Sequence, residues 1–134
     1  MNGVPFSAIV GNVLRWTHNN QRFFITLCHG PPSMLAADID KPEGSKFIHD
    51  GYQVDVFPDS LDQTANPDIG YIPGKMAWYI DERLRKLGVT PLNKDISGAT
   101  HRDRLGLTSD SLLASNNLGK LAAKKLLEEI LKLS

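Results

Sequence analysis

A short apolar run, Phe23-Phe24-Ile25-Thr26-Leu27, stops abruptly at Cys28-His29-Gly30-Pro31-Pro32, and this junction constrains the chain more than any other segment. The run is partly β-branched and of strand length, and Gly30 with the two prolines prevents the strand from continuing. Proline is readily accepted at the first position of a helix, where its missing N–H has no helical partner. The pattern therefore predicts strand, tight turn and helix, with the chain's single cysteine on the turn. A thiol placed there faces unpaired N–H groups and the positive end of a helix, which favour the reactive thiolate, so Cys28 is expected to titrate below the free value of about 8.5. The arrangement resembles elbow motifs that raise a nucleophile above a sheet, although Thr26 stands where such motifs carry their first small residue. A buried cysteine serving only as a small hydrophobe is the competing reading.

At 134 residues the chain can bury a core without disulfides or metals, and residues 1–134 are read as one domain. Fifteen acidic and fifteen basic residues cancel, with no long run of either sign, which argues against a nucleic-acid-binding surface. One cysteine precludes an internal disulfide, and neither a signal peptide nor an apolar run of membrane length is evident. A reducing, cytoplasmic setting without a membrane partner is the expectation.

Ile9, Val10, Val13, Leu14 and Trp16 follow helical spacing after Ser7, an N-cap residue type, and predict an amphipathic helix over 7–19. After the turn, the pattern predicts a short helix over 33–37, a polar connection over 38–50, a second strand over 51–57 stopped by Pro58, and a loop over 59–73. Met76, Tyr79, Ile80, Leu84 and Leu87 mark a helix ended by Gly88. Short strands over 89–92 and 105–108 flank a polar segment containing Asp95, Gly98, His101, Arg102 and Asp103. A last helix from about Ser111 aligns Leu112, Leu113, Leu118, Leu121, Leu126, Leu127, Ile130 and Leu131 on one face. Strands alternating with helices predict an α/β layered fold with a mainly parallel sheet. Such sheets commonly hold five or six strands, so a chain with four that opens on a helix reads as part of a domain whose N-terminal strands are missing.

A nucleophilic cysteine needs a proton acceptor and a carboxylate to orient it. His29 is adjacent, and Asp55, Asp59 and Asp62 lie around the end of the next strand, at the edge where parallel sheets place their sites. Spacing does not choose between Asp59 and Asp62, and a solvated loop carboxylate describes either. His18, His49 and His101 form no helical couple, and no second cysteine exists, so neither a metal nor a cofactor is expected. His101-Arg102-Asp103 reads as a solvated turn, and Gly70-Tyr71-Ile72-Pro73-Gly74 lacks the strand and spacing of a phosphate loop.

Several segments, in the same order along the chain, resemble the C-terminal half of the ThiJ/PfpI superfamily, in its heat-shock chaperone branch of glyoxalases and deglycases. Leu27-Cys28-His29-Gly30-Pro31 is similar to the family's nucleophile segment. Phe57-Pro58-Asp59-Ser60-Leu61-Asp62, Ile69-Gly70-Tyr71-Ile72-Pro73-Gly74 and Trp78-Tyr79 resemble the branch's middle section. Asn93-Lys94-Asp95-Ile96-Ser97-Gly98, His101-Arg102-Asp103-Arg104 and Leu118-Gly119-Lys120-Leu121-Ala122 complete the likeness, which covers essentially the whole chain.

The resemblance implies a flavodoxin-like sandwich of the class I glutamine amidotransferase type. It also implies a Cys/His/Asp constellation, which falls on Cys28, His29 and Asp62 and selects Asp62 over Asp59. The implied activities are glutathione-independent conversion of methylglyoxal to D-lactate and removal of early glycation adducts from proteins or nucleotides, with a cysteine nucleophile. The implied partners are a small dicarbonyl substrate or a glycated protein, with a homodimer mate or the missing N-terminal half. The family's glutamate and its glycine-rich oxyanion segment belong to that half, and neither they nor the branch's metal-binding histidines and glutamate have a counterpart here. Ser109 stands where the branch favours glycine, and Leu112 where it favours proline. A holdase-type chaperone and an inactive truncated fragment are the alternatives to an enzyme.

Overall fold

In the computed structural model, which describes residues 3–133, the Ser7 side chain accepts a hydrogen bond from the Val10 N–H at 3.4 Å. It thereby caps α1 (Ala8–Asn19), as the N-cap pattern predicts. The chain then enters β1 (Phe24–Leu27) and, past the turn, a 3-10 helix (Pro31–Asp38) that begins at the first of the paired prolines. Further on come β2 (Gln53–Val54), α2 (Asp59–Gln63), α3 (Ala65–Asp68), α4 (Ile80–Lys86) and β3 (Thr90–Pro91). The last elements are β4 (Thr100–Asp103), β5 (Gly106–Ser109) and, after a 3-10 turn at Leu112–Ala114, α5 (Ser115–Leu133).

β1 runs parallel to β5, with Phe24 opposite Gly106 and Leu27 opposite Ser109, while β4 pairs antiparallel on the other side of β5. β2 and β3 form a separate parallel pair. The fold is thus α/β with mainly parallel pairing. One face is covered by α1, the 3-10 helix and α4, around Leu14, Phe24, Met34, Val54, Ile80 and Leu84. Full burial of each large side chain contributes about 1.5–3 kcal/mol. Close approach of α1 to the 3-10 helix requires Gly11, because a Cβ there would collide with the Ala36 carbonyl. The second face is thinner, with Leu107, Leu118 and Ala122 buried beneath α5.

Four expectations are corrected. The strand expected over 51–57 contracts to Gln53–Val54, because side chains bind the backbone beyond it. The Asp55 N–H donates to Thr108 Oγ1 at 2.9 Å, the Val56 N–H donates to Asn93 Oδ1 at 2.9 Å, and Asn93 Nδ2 donates to the Val56 carbonyl at 2.8 Å. Residues 59–73, expected as a loop, begin with α2 and α3, which are too short to show periodicity. His101, Arg102 and Asp103 lie in β4 and not in a solvated turn, with the Arg102 guanidinium over the Phe23 ring and Asp103 accepting from the Gln53 N–H at 2.8 Å. Finally, the apolar positions of α5 do not all face the core, since Leu126, Leu127 and Ile130 are exposed, as are Leu112 and Leu113 ahead of the helix.

His49 is 1% exposed, with Phe24, Phe47 and Tyr52 rings around it at 5.0–5.4 Å. Burial, reinforced by the positive charges of His18 and Arg104, lowers its pKa to about 3. An unfolded histidine titrates near 6.5, so the unfolded chain binds more protons between these values. This contribution to stability is complete above pH 6.5 and is lost as the pH falls toward 3. In chemical denaturation, the unfolding free energy should fall with a slope approaching 1.4 kcal/mol per pH unit below about pH 6. His49→Phe should flatten that slope, and equal slopes for the two proteins would refute the assignment.

Candidate functional site

The turn that follows β1 is closed by the Gly30 N–H, which donates to the Leu27 carbonyl at 2.8 Å. Cys28 adopts φ +59°, a left-handed conformation uncommon for a residue with a side chain. It is held from both ends: its N–H donates to the Ser109 carbonyl at 3.0 Å, and its carbonyl accepts from the Phe57 N–H at 2.9 Å. Position 30 has to be glycine, because a Cβ there would lie 2.9 Å from both Leu27 N and Leu27 O.

On this frame Cys28 Sγ lies 3.4 Å from His29 Nδ1, and His29 Nε2 lies 2.7 Å from Asp62 Oδ2. A carboxylate accepts, so His29 Nε2 carries the proton and donates to Asp62, which leaves the Nδ1 lone pair facing the thiol. Asp62 is 1% exposed, and its other oxygen accepts from Asn66 Nδ2 at 2.7 Å. The imidazole stacks on Phe57, with ring centroids 4.3 Å apart. The structure therefore brings together the three residues selected by resemblance.

Asp59 is engaged elsewhere. The two Asp59 carboxylate oxygens accept from the N–H groups of Ile80 and Asp81 at 2.8 and 2.9 Å, capping α4. Burial raises the Asp59 and Asp55 pKa values, with nearby donors and His101 respectively opposing the rise. No group of three or more His, Cys, Asp or Glu among the described residues sits close enough to hold a metal ion.

The thiol departs from expectation. Burial pushes the Cys28 pKa above that of a free thiol, and the charges of Asp62 and Asp110 push the same way. The N–H groups of His29 and Leu112 oppose the shift without overcoming it. The helix after the turn offers less than expected because it is a 3-10 helix opening on two prolines, which have no N–H to offer.

Sequence reading did not single out Asp110, whose carboxylate is fully buried. Burial alone would raise its pKa, but hydrogen bonds from Ser97, Ser111 and Ala99 outweigh that and hold it low. Leu112, where the branch favours proline, opens the 3-10 turn after β5. Gly30→Ala should cost about 1–3 kcal/mol of stability in denaturant titration. It should also alter the Cys28 alkylation rate, whereas an unchanged stability and rate would show that the turn tolerates a Cβ.

No family model matches the chain. It is 54% identical over 127 residues to the Protein/nucleic acid deglycase HchA of Pseudomonas aeruginosa strain UCBPP-PA14, which covers 94% of this chain and 43% of that protein. It is 47% identical over 128 residues to the protein of the same name from Staphylococcus aureus strain Newman, covering 96% of this chain and again 43% of the relative. The chain thus spans less than half the length of these curated relatives. A crystallographic structure designated APC35852 superimposes on 96% of the chain and 55% of itself with a TM-score of 0.79, at 19% identity, a likeness of fold alone. Among the described residues, no helix is long and apolar enough to cross a membrane.

Proposed function

Because this chain belongs to the HchA-like protein/nucleic acid deglycases of the ThiJ/PfpI superfamily, and corresponds to their C-terminal portion, we propose that Cys28 is the nucleophile of a dicarbonyl-processing site. His29 serves as its proton acceptor, and Asp62 holds His29. The observation that carries this reading is the continuous chain from Cys28 Sγ to His29 Nδ1 at 3.4 Å and from His29 Nε2 to Asp62 Oδ2 at 2.7 Å.

The chemistry follows from that chain. The thiol proton passes to His29 Nδ1, and the sulfur forms a bond to the aldehyde carbon of methylglyoxal. The carbonyl oxygen takes a proton, which gives a hemithioacetal. Removal of the proton on that carbon and its return at the neighbouring carbon, through an enediol, yields a lactoyl thioester. Water cleaves the thioester, releasing lactate and restoring the thiol. The net reaction is methylglyoxal plus water to lactate, with no external oxidant or reductant. On an early glycation adduct of a protein or nucleotide, the sulfur attacks the carbon bearing the amine, which leaves with a proton. The same hemithioacetal results.

A thiol whose pKa is raised by burial needs a proton acceptor close by, and the 3.4 Å approach of His29 Nδ1 to Cys28 Sγ supports His29 in that role. The resemblance assigns a further base, a glutamate, to the other half of the longer relatives, so the chain alone should turn over more slowly than a full-length relative. A holdase reading draws on the exposed stripe of Ile9, Val13 and Trp16 along α1, since contiguous apolar surface marks interaction sites.

Lactate formation from methylglyoxal tests the enzyme reading, with matching substitutions in a full-length relative as the positive control. Cys28→Ala should abolish turnover, and Asp62→Asn should lower it roughly a hundredfold. Asp59→Asn should mainly cost about 1 kcal/mol of stability through the lost helix cap. Turnover that survives Cys28→Ala, or equal losses from the two aspartate variants, would sink the assignment. Suppression of client aggregation without any turnover would favour the holdase.

A further inference from the structure

α2 and α3 meet at Thr64, whose backbone at φ −127° and ψ −78° interrupts the helical run between them. Asp62 stands before this break and Asn66 after it. Their side chains join across it, with Asn66 Nδ2 lying 2.7 Å from Asp62 Oδ1. A carboxylate only accepts, so the Asn66 amide presents its NH2 group and not its oxygen. The main chain holds Asn66 from the other side, because its carbonyl accepts from the Tyr71 N–H at 2.9 Å and the Ile72 N–H at 3.2 Å. Thr64 Oγ1, which donates to the Ser60 carbonyl at 2.7 Å, ties the break itself to α2.

Asp62 is 1% exposed, so bulk solvent cannot replace a lost donor. Its Oδ2 accepts from His29 Nε2 at 2.7 Å, and its Oδ1 accepts from Asn66. Two donors on opposite oxygens stop the carboxylate from turning about its Cβ–Cγ bond. Without the Asn66 amide, Oδ1 becomes a buried acceptor with no donor, which is a costly state. Rotation of the carboxylate relieves it. That rotation carries the His29 ring with it and takes Nδ1 off its 3.4 Å approach to Cys28 Sγ.

We propose that Asn66 is a positioning residue of the Cys28 site: by holding Asp62 Oδ1 it fixes the carboxylate, and through the carboxylate it fixes the orientation and tautomer of His29. Its amide acts on His29 only through Asp62. The inference rests on the reading of His29 as the proton acceptor of Cys28.

Asn66→Leu keeps the size of the side chain, removes its donor and leaves the main-chain carbonyl that binds Tyr71 and Ile72. In the 134-residue chain, it should slow iodoacetamide alkylation of Cys28 at neutral pH roughly fivefold, and Asp62→Asn should slow it further. Residues that act through one another are not additive, so the double variant should alkylate at the rate of Asp62→Asn alone. A merely structural residue would multiply its own loss onto that rate. The ring nitrogens of His29 give a second reading by NMR. The wild type should show the Nε2–H tautomer, and in Asn66→Leu the two nitrogen shifts should converge as the Nδ1–H form gains.

Slower alkylation in Asp62→Asn but not in a folded Asn66→Leu would overturn the proposal alone, and slower alkylation in neither would overturn the reading of His29 beneath it. Multiplied losses in the double variant, or unmoved His29 nitrogen shifts in Asn66→Leu, would also overturn the proposal. If Asn66→Leu does not fold, the side-chain amide protons of Asn66 in the wild-type chain decide the matter. Their resonances should shift together with those of the His29 ring as it titrates, and amide resonances that ignore the ring overturn the proposal equally. A coupled loss of alkylation in a chain without dicarbonyl turnover would retain Asn66 as a positioning residue and remove the enzyme reading.

Discussion

The Cys28 main chain ties three segments together. Its N–H is held by Ser109 at the end of β5, its carbonyl is held by Phe57 beyond β2, and β1 leads directly into it. A left-handed backbone at a residue with a side chain costs on the order of 1–2 kcal/mol, and it persists only when the surroundings determine it. Here the two hydrogen bonds and the tight turn closed by Gly30 do so. The direction of the sulfur, the proximity of the His29 ring and the stacking of that ring on Phe57 all follow from this junction.

Where the sequence was legible, one physical signal dominated. The N-cap and apolar spacing of α1, the short apolar run of β1 and the glycine that ends α4 all act within a few residues, and all were readable. β4 was not readable, because His101, Arg102 and Asp103 have the composition of a turn. They form a strand through pairing with β5 and contacts to Phe23 and Gln53, partners far away in sequence. The second strand was overestimated for a related reason: Asn93 and Thr108 side chains take hydrogen bonds that would otherwise build a ladder. Periodicity could not tell which leucines of α5 meet the sheet, since that depends on the length of β1 and β5 against which the helix packs.

The candidate site was legible in its residue types and not in its electrostatics. Adjacency exposed the Cys28–His29 pair, whereas the choice of Asp62 over Asp59 came from resemblance alone; Asp62 contacts His29, and Asp59 caps α4. The state of the thiol depends on a balance that sequence does not encode directly. Main-chain donors and negative charges converge on one partly buried sulfur, and burial prevails. The chain covers 43% of the length of its deglycase relatives, so the environment described for the sulfur is the one this portion supplies.

Asp59 and Asp62 occupy the same short helix, α2, one anchored to the start of α4 and the other to His29. They are three residues apart, about one helical turn, so neither can shift without carrying the other with it. The first amides of α4 never approach the sulfur, yet they set the height and tilt of the carboxylate that steadies the imidazole. A substitution that disturbs the start of α4 would thus be felt, through Asp59 and the short helix it shares with Asp62, at the carboxylate that contacts His29.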